Sequence, residues 1–110
     1  MDYVAGIKKC KHALIKLSSK DDFAKRVDGA FEEVAEIDPN ETSFGLLEEI
    51  VDWCEEYLSF RDKGAKSDGV LKENENRKQL IKLSQKLAFL CVEIIEYNSK
   101  NHNNWYFISV

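Results

Sequence analysis

Apolar residues recur every three or four positions along most of the chain, and this spacing constrains the fold more than any other feature. They form four separate stripes, each of which would lie on one side of a helix with 3.6 residues per turn. The stripes are Tyr3, Ile7, Cys10, Leu14 and Leu17; Phe23, Val27, Ala30, Val34 and Ile37; Phe44, Leu47, Val51, Cys54 and Leu58; and Leu80, Leu83, Leu87, Leu90, Ile94 and Tyr97. Because the chain has only five glycines and one proline, little interrupts them. The sequence predicts four amphipathic helices.

The segments between the stripes contain residues that end or cap helices. Ser18-Ser19 followed by two aspartates indicates a helix end and a new N-cap. Residues 38–41 predict a turn, with Pro39 at the first position of the third helix. Residues 62–69 predict a longer loop, and the fourth helix is expected to end after Asn98. Short connections favour an antiparallel four-helix bundle, so we expect an all-α single domain over residues 1–110 with a short apolar tail at 105–110.

Composition excludes several functional classes. The chain is 44% hydrophobic and 33% charged, which is typical of a soluble globular protein. Its longest apolar run is the six residues 87–92, so we expect neither a membrane span nor a secretory signal, and a cytoplasmic location. The formal charge of −4 disfavours a nucleic-acid partner, because phosphate binding needs clustered Lys and Arg. Basic proteins and metal-bridged phosphates remain compatible with this charge.

The three cysteines are predicted to be structural. Cys10, Cys54 and Cys91 each lie among apolar neighbours, and the chain contains no CxxC motif. We therefore interpret them as reduced core residues and not as zinc ligands or a redox pair.

The predicted third helix has a second apolar stripe, which leaves only a narrow polar strip. Its members are Leu46, Ile50, Trp53, Tyr57 and Phe60. A helix that is apolar over so much of its circumference is either central in its own bundle or in contact with another chain. Trp53 and Tyr57 are therefore candidate residues of a partner interface, and packing within the chain is the alternative. The apolar tail presents the same two alternatives.

Two pairs of acidic residues flank the predicted turn at Pro39. Glu33 and Glu36 are three residues apart on the second helix, and Glu49 and Asp52 are three apart on the third. Each pair would project from one side of its helix. If the two sides converge, four carboxylates could hold Mg²⁺, which prefers hard oxygen ligands. The alternative is that the four carboxylates lie on solvated helix surfaces.

These acids also carry a resemblance to a known family. The segment "EEVAE" at residues 32–36, followed after twelve residues by "EIVD" at 49–52, resembles the EExxE…ExxD signature of MazG-type all-α nucleoside triphosphate pyrophosphohydrolases. The later segment "KENENRK" at residues 72–78 is similar to the K-x-x-x-N-R segment of that family. The resemblance covers residues 30–78, under half of the chain.

The resemblance implies a specific activity. Glu33, Glu36, Glu49 and Asp52 would be the catalytic residues and would hold Mg²⁺ on the triphosphate, where the metal would activate water for attack between the α- and β-phosphates. Nucleoside monophosphate and pyrophosphate would be the products. The residues expected to bind the nucleotide are Lys72, Asn76 and Arg77. Members of this family generally form homo-oligomers, which would use the broad apolar surface of the third helix.

A non-catalytic function is the second hypothesis. Small acidic helical bundles include immunity proteins that neutralise a toxin and inhibitors of basic enzymes. Acidic residues accelerate association with a basic partner, and aromatic residues supply binding hot spots. The residues that favour this hypothesis are Glu48, Glu49, Asp52, Glu55 and Glu56, with Trp53, Tyr57 and Trp105. This hypothesis requires no metal, and the sequence does not identify the partner.

Overall fold

Four helices account for the described part of the protein. The computed structural model describes the backbone of residues 1–66 and 73–109, and the side chains of residues 1–63 and 76–101. The helices are α1 (Tyr3–Leu17), α2 (Phe23–Val34), α3 (Phe44–Lys66) and α4 (Glu73–Ser109). Within the described ranges no residue is in a β-strand. The predicted all-α four-helix fold is confirmed.

Helix α1 packs against α2 and α4, α3 packs against α4, and side chains of α2 also reach α3; each of these pairs is antiparallel. Two contacts at different heights establish the direction of each neighbouring pair. These are Lys9–Glu36 and Arg26–Leu17 for α1 and α2; Asp28–Arg61 and Phe31–Trp53 for α2 and α3; Thr42–Asn98 and Glu56–Lys86 for α3 and α4; and Tyr3–Tyr97 and Cys10–Cys91 for α1 and α4.

The core follows the predicted stripes in three helices and departs from the prediction in α3. The α2 residues Val27, Ala30 and Val34 and the α4 residues from Leu80 to Ile94 in the fourth stripe are buried. In α3 the second stripe faces the core, whereas Phe44 and Val51 of the first stripe are 79% and 46% exposed. The second stripe contains the larger side chains and therefore removes more apolar area from water.

Helix α3 begins later than the sequence predicts. Residues 38–41 form the predicted turn, in which the Glu41 amide donates to the Asp38 carbonyl at 2.9 Å. Pro39 is not part of the helix, which starts at Phe44. The cap is Ser43, whose hydroxyl accepts a hydrogen bond from the Leu46 amide at 3.2 Å.

Helix α4 is longer than predicted. The prediction that it ends after Asn98 is wrong, because the helix continues to Ser109. Polar residues alone do not end a helix, and this segment contains neither Gly nor Pro. Asn101 even bonds within the helix, donating from Nδ2 to the Tyr97 carbonyl at 2.8 Å. The side chains of the predicted tail lie outside the described residues.

None of the helices, over the part that is described, has an apolar stretch long enough to cross a bilayer.

Candidate functional site

The first acidic pair lies near α1. Glu33 is half-buried on α2, and its Oε2 lies 3.8 Å from Nδ1 of His12 on α1. Glu36 follows the end of α2 and is exposed; its backbone carbonyl accepts a hydrogen bond from Lys9 Nζ at 2.7 Å. The pair therefore flanks the contact between α1 and α2.

The second acidic pair lies on the opposite flank, toward α4. Glu49 and Asp52 are both exposed on α3. Glu56, one turn after Asp52 on the same side of the helix, forms an ion pair with Lys86 of α4 at 3.4 Å. The structure thus places Glu49 and Asp52 beside α4, whereas Glu33 faces α1.

Among the described residues, the four carboxylates are not gathered into one group. Mg²⁺ needs its oxygen ligands at about 2.0–2.1 Å in octahedral geometry, and the two pairs face different neighbouring helices. Across the residues that the structure describes, no three His, Cys, Asp or Glu side chains are grouped so that they could hold a metal. The predicted metal ligation is therefore not part of the geometry described here, and it stays a prediction.

The predicted nucleotide-binding residues lie toward the other end of the bundle. Asn76 is half-buried and Arg77 is exposed in the first turns of α4. Asn76 is ten residues before Lys86, or about 15 Å along the helix axis. Lys86 pairs with Glu56 and so lies at the same height. Asp52 is one turn farther from Asn76 than Glu56 is, so about 20 Å separates Asn76 from Asp52 along the bundle. Lys72 lies outside the described residues.

Trp53 and Tyr57 belong to the core. Trp53 is 0% exposed and Tyr57 is 3% exposed within the single chain, and their rings stack at 5.4 Å. Trp53 Nε1 donates to the Leu83 carbonyl of α4 at 2.8 Å. The Tyr57 hydroxyl donates to Asp28 Oδ1 at 2.7 Å. Burial is the larger cause, and this hydrogen bond the second, of a raised pKa of Tyr57. The second stripe of α3 is therefore packed within the chain, and neither residue is open to a partner in this conformation.

The exposed side of α3 is strongly acidic. Between Phe44 and Phe60 the helix has no Lys or Arg, and all five of its carboxylates in this range are exposed. They are Glu48, Glu49, Asp52, Glu55 and Glu56. We call these five residues the acidic face. Among the described ion pairs only Glu56 takes part, with Lys86.

An apolar groove of about 180 Å³ runs between α2 and α3 and meets the acidic face at Glu55. Phe31 and Ile37 contribute from the α2 side, and Leu47, Val51 and Cys54 from α3, while Glu55 of the acidic face forms part of its edge. Burial, reinforced by the charge of Glu55, raises the pKa of the Cys54 thiol to about 11. The thiol is therefore protonated near neutral pH and contributes apolar surface to the groove.

The other two cysteines are core residues, as predicted. Cys10 of α1 and Cys91 of α4 are both buried. The Cys10 thiol, together with burial, raises the pKa of Cys91. Their packing is that of small apolar side chains.

A larger groove, of about 510 Å³, lies where α2, α3 and α4 meet. Lys25, Glu32 and Phe60 are among its lining residues. Asp28 also lines it and accepts hydrogen bonds from Tyr57 at 2.7 Å and Arg61 at 2.9 Å. Since this carboxylate and guanidinium already bond each other, the groove offers less charge to a ligand than the acidic face does.

Sequence reasoning missed a buried polar cluster at the end of the bundle where α3 begins. Asn98 of α4 is 0% exposed; its Nδ2 donates to the Tyr3 carbonyl at 3.1 Å and the Glu41 carbonyl at 2.7 Å. Its Oδ1 accepts from the Thr42 hydroxyl at 2.9 Å. Lys9 bonds Glu41 Oε1 at 2.8 Å, and this bond raises the pKa of Lys9. The cluster fixes the loop before α3 to α1 and α4.

Comparison of the chain with protein-family models, with curated proteins and with solved structures gave no match.

Proposed function

We propose that this chain is a non-catalytic binding protein, and that the acidic face and the adjoining apolar groove together accept a basic protein partner. The observation that supports this most is that α3 has five exposed carboxylates and also borders an apolar groove, with Glu55 belonging to both. A partner segment that places one apolar side chain in the groove and Lys or Arg along the acidic face would complement both features.

The cost of the acidic face to folding supports a role in binding. Asp52 is three or four residues from each of the other four acids, so it takes part in four like-charge pairs on the helix surface. Each such pair destabilises a helix by a few tenths of a kcal/mol. Functional surfaces often carry groups that reduce stability. A basic partner would relieve this repulsion when it binds.

The first prediction follows from this conflict between stability and binding. Asp52→Lys should raise the melting temperature by about 5 °C at low salt, because it replaces four repulsions with attractions. The same change should abolish binding of the basic partner. The melting temperature is measured by circular dichroism, and binding is measured by titration with basic peptides selected as described next. A gain in stability with a loss of binding excludes unfolding as the cause of the loss.

A displayed library of short random peptides, panned against the wild-type protein, supplies the probe. We expect the enriched peptides to contain Lys or Arg beside one apolar residue, and their affinity to fall as salt is raised. Asp21→Lys is the matched control, since it changes the net charge equally at an exposed site before α2. Peptides that bind Asp52→Lys and Asp21→Lys equally well would contradict the proposal.

The pyrophosphohydrolase hypothesis stays a prediction based on the acidic motif and has its own test. It predicts Mg²⁺-dependent release of pyrophosphate from a panel of nucleoside triphosphates. It also predicts that millimolar Mg²⁺ raises the melting temperature, because a ligand that binds only the folded state stabilises it. Glu49→Gln should abolish both effects. A melting curve unchanged by Mg²⁺, together with no pyrophosphate, would remove this hypothesis and leave the binding proposal intact.

A further inference from the structure

The first apolar stripe of α3 remains at the surface of the protein. Its members occupy the first and fourth positions of a seven-residue repeat, which is the pattern by which one helix packs along another. They are Phe44, Leu47, Val51, Cys54 and Leu58. Phe44 and Val51 are exposed, and the other three are half-buried. We call these five residues the α3 seam, and it is about 21 Å long.

The apolar groove between α2 and α3 lies on this seam and has the form that helix packing needs. In such packing, each apolar side chain of one helix enters a hole between four residues of the facing helix. The α3 residues that line the groove form two such holes, one turn apart. The first hole is Leu47, Ile50, Val51 and Cys54, and the second is Val51, Cys54, Glu55 and Leu58. A short peptide can fill one hole, whereas a helix fills both with side chains three or four residues apart.

Helices α2 and α3 leave room for an added helix. In the described part of the chain, their backbones approach each other at fewer positions than those of α3 and α4 do. Phe31 of α2 reaches across to Trp53 and Tyr57 of α3 through its side chain. The α2 side of the groove includes Ala35, which is exposed and has a short side chain. A helix that enters the groove from outside therefore meets little obstruction at this edge.

Acidic residues border the α3 seam on both sides. Glu48, Glu55 and Asp62 all lie at the fifth position of the seven-residue repeat, directly beside the apolar positions, and all three are exposed. On the α2 side, Glu32 is exposed one turn before Ala35. Residues at the fifth position are those that form ion pairs with the facing helix in such packing. The pattern therefore favours a facing helix with basic residues at its edges.

The basic residues of α2 and α3 do not neutralise this border. Lys63 is at the sixth position of the repeat, on the side of α3 farthest from the seam. Arg61 already bonds Asp28 at 2.9 Å. Lys25 lies ten residues before Ala35, or about 15 Å along α2. A second copy of the α3 seam would bring more acids and no basic residue, so the charge favours a different, basic occupant.

We propose that the partner presents a basic amphipathic helix, which packs along the α3 seam with two apolar side chains in the two holes. Lys or Arg, repeated every seven residues along one edge of that helix, lies beside Glu48 and Glu55. This inference rests on the binding function proposed above and specifies the form of the partner. An amphipathic helix laid in an apolar groove is a common mode of protein recognition.

Two synthetic peptides, each about three heptads long, test the helical form. One has Leu at the first and fourth positions of each heptad, Lys at the fifth and seventh, and Ala elsewhere, so its lysines oppose self-pairing. The other has the same composition with Leu and Lys alternating, the period of a strand. Fluorescence anisotropy should show the first peptide binding at least about tenfold more tightly. Equal affinities would overturn the helical form.

A pair of valine variants tests the position of the helix. Val51→Lys should weaken binding of the first peptide at least about tenfold, because it places a positive charge between the two holes. Val92→Lys is the matched control and should leave binding unchanged, since Val92 is 45% exposed on α4 and Val51 is 46% exposed. Circular dichroism checks that both variants are folded. Equal losses in the two variants would overturn the proposed site.

A pair of glutamate variants tests the proposed register. Glu55→Gln should weaken binding of the first peptide about threefold, because Glu55 borders a hole. Glu49→Gln should have a smaller effect, since Glu49 is at the sixth position of the repeat, away from the seam. Equal effects would contradict the register. If the selected basic peptides bind and require Asp52 while the first peptide does not bind, this inference fails and the proposed function stands.

Discussion

Gly6→Ala should destabilise the protein by at least about 3 kcal/mol, a large part of the roughly 5–15 kcal/mol that stabilises a typical domain. A Cβ at this position would overlap the Glu41 carbonyl oxygen and lie 2.6 Å from Asn98 Nδ2. The carbonyl belongs to the backbone and cannot rotate away. Either α1 moves outward or the bonds of Asn98 break, and each outcome leaves buried polar groups without partners.

Gly45→Ala is the matched control for this prediction. Gly45 is also helical, but a Cβ there would meet no atom within 4 Å. Alanine should leave stability unchanged or raise it by about 0.5 kcal/mol, because glycine loses more backbone entropy on folding. Urea unfolding followed by circular dichroism, at one protein concentration, measures both variants. Equal stabilities for Gly6→Ala and Gly45→Ala would mean that α1 does not approach the Glu41 loop as described.

The number and approximate positions of the helices could be predicted from the sequence because each stripe repeats with the helical period. The orientation of α3 could not be predicted, since it has two apolar stripes. Which of the two stripes faces the core depends on tertiary partners. Trp53 Nε1 donates to a carbonyl of α4, and the Tyr57 hydroxyl donates to Asp28 of α2. Periodicity does not reveal which aromatic polar group will find a buried partner.

The polar cluster around Asn98 gave no signal in the sequence. Asn98 and its partner Thr42 are 56 residues apart, and neither belongs to an apolar stripe. An asparagine followed by further polar residues is typical of a helix end, and that interpretation was wrong here. Only the docking of the loop before α3 against α4 brings the two side chains together, so the position of Asn98 depends on tertiary structure.

The candidate site could be predicted only in part, because its geometry also depends on how the helices pack. Spacing predicts that Glu49 and Asp52 project from the same side of α3, where both are exposed. Spacing does not determine which neighbouring helix that side approaches. On α2, Phe31 packs against Trp53 and Tyr57 of α3, and this sets the rotation that directs Glu33 toward α1. Two acidic pairs that share a motif thus face different helices.

Trp53→Ala should reduce the free energy of unfolding by about 3–5 kcal/mol, the usual cost of removing a large buried aromatic side chain. The substitution leaves a cavity between α2, α3 and α4, because Phe31 and Tyr57 both contact the indole ring. It also removes the hydrogen bond from Nε1 to the Leu83 carbonyl. Phe44→Ala, which truncates a large but exposed side chain of the same helix, should change stability by less than about 0.5 kcal/mol.

A third variant separates packing from partner binding. Trp53→Phe retains most of the ring but loses the Nε1 donor, so it should cost only about 1–2 kcal/mol and remain folded. If Trp53 acts in the core alone, this variant should bind the selected basic peptides as the wild type does, whereas Asp52→Lys should not. Urea unfolding and peptide titration on the same samples measure both properties. Trp53→Phe with wild-type stability but no peptide binding would show that the indole ring contacts a partner, which its complete burial in the chain argues against.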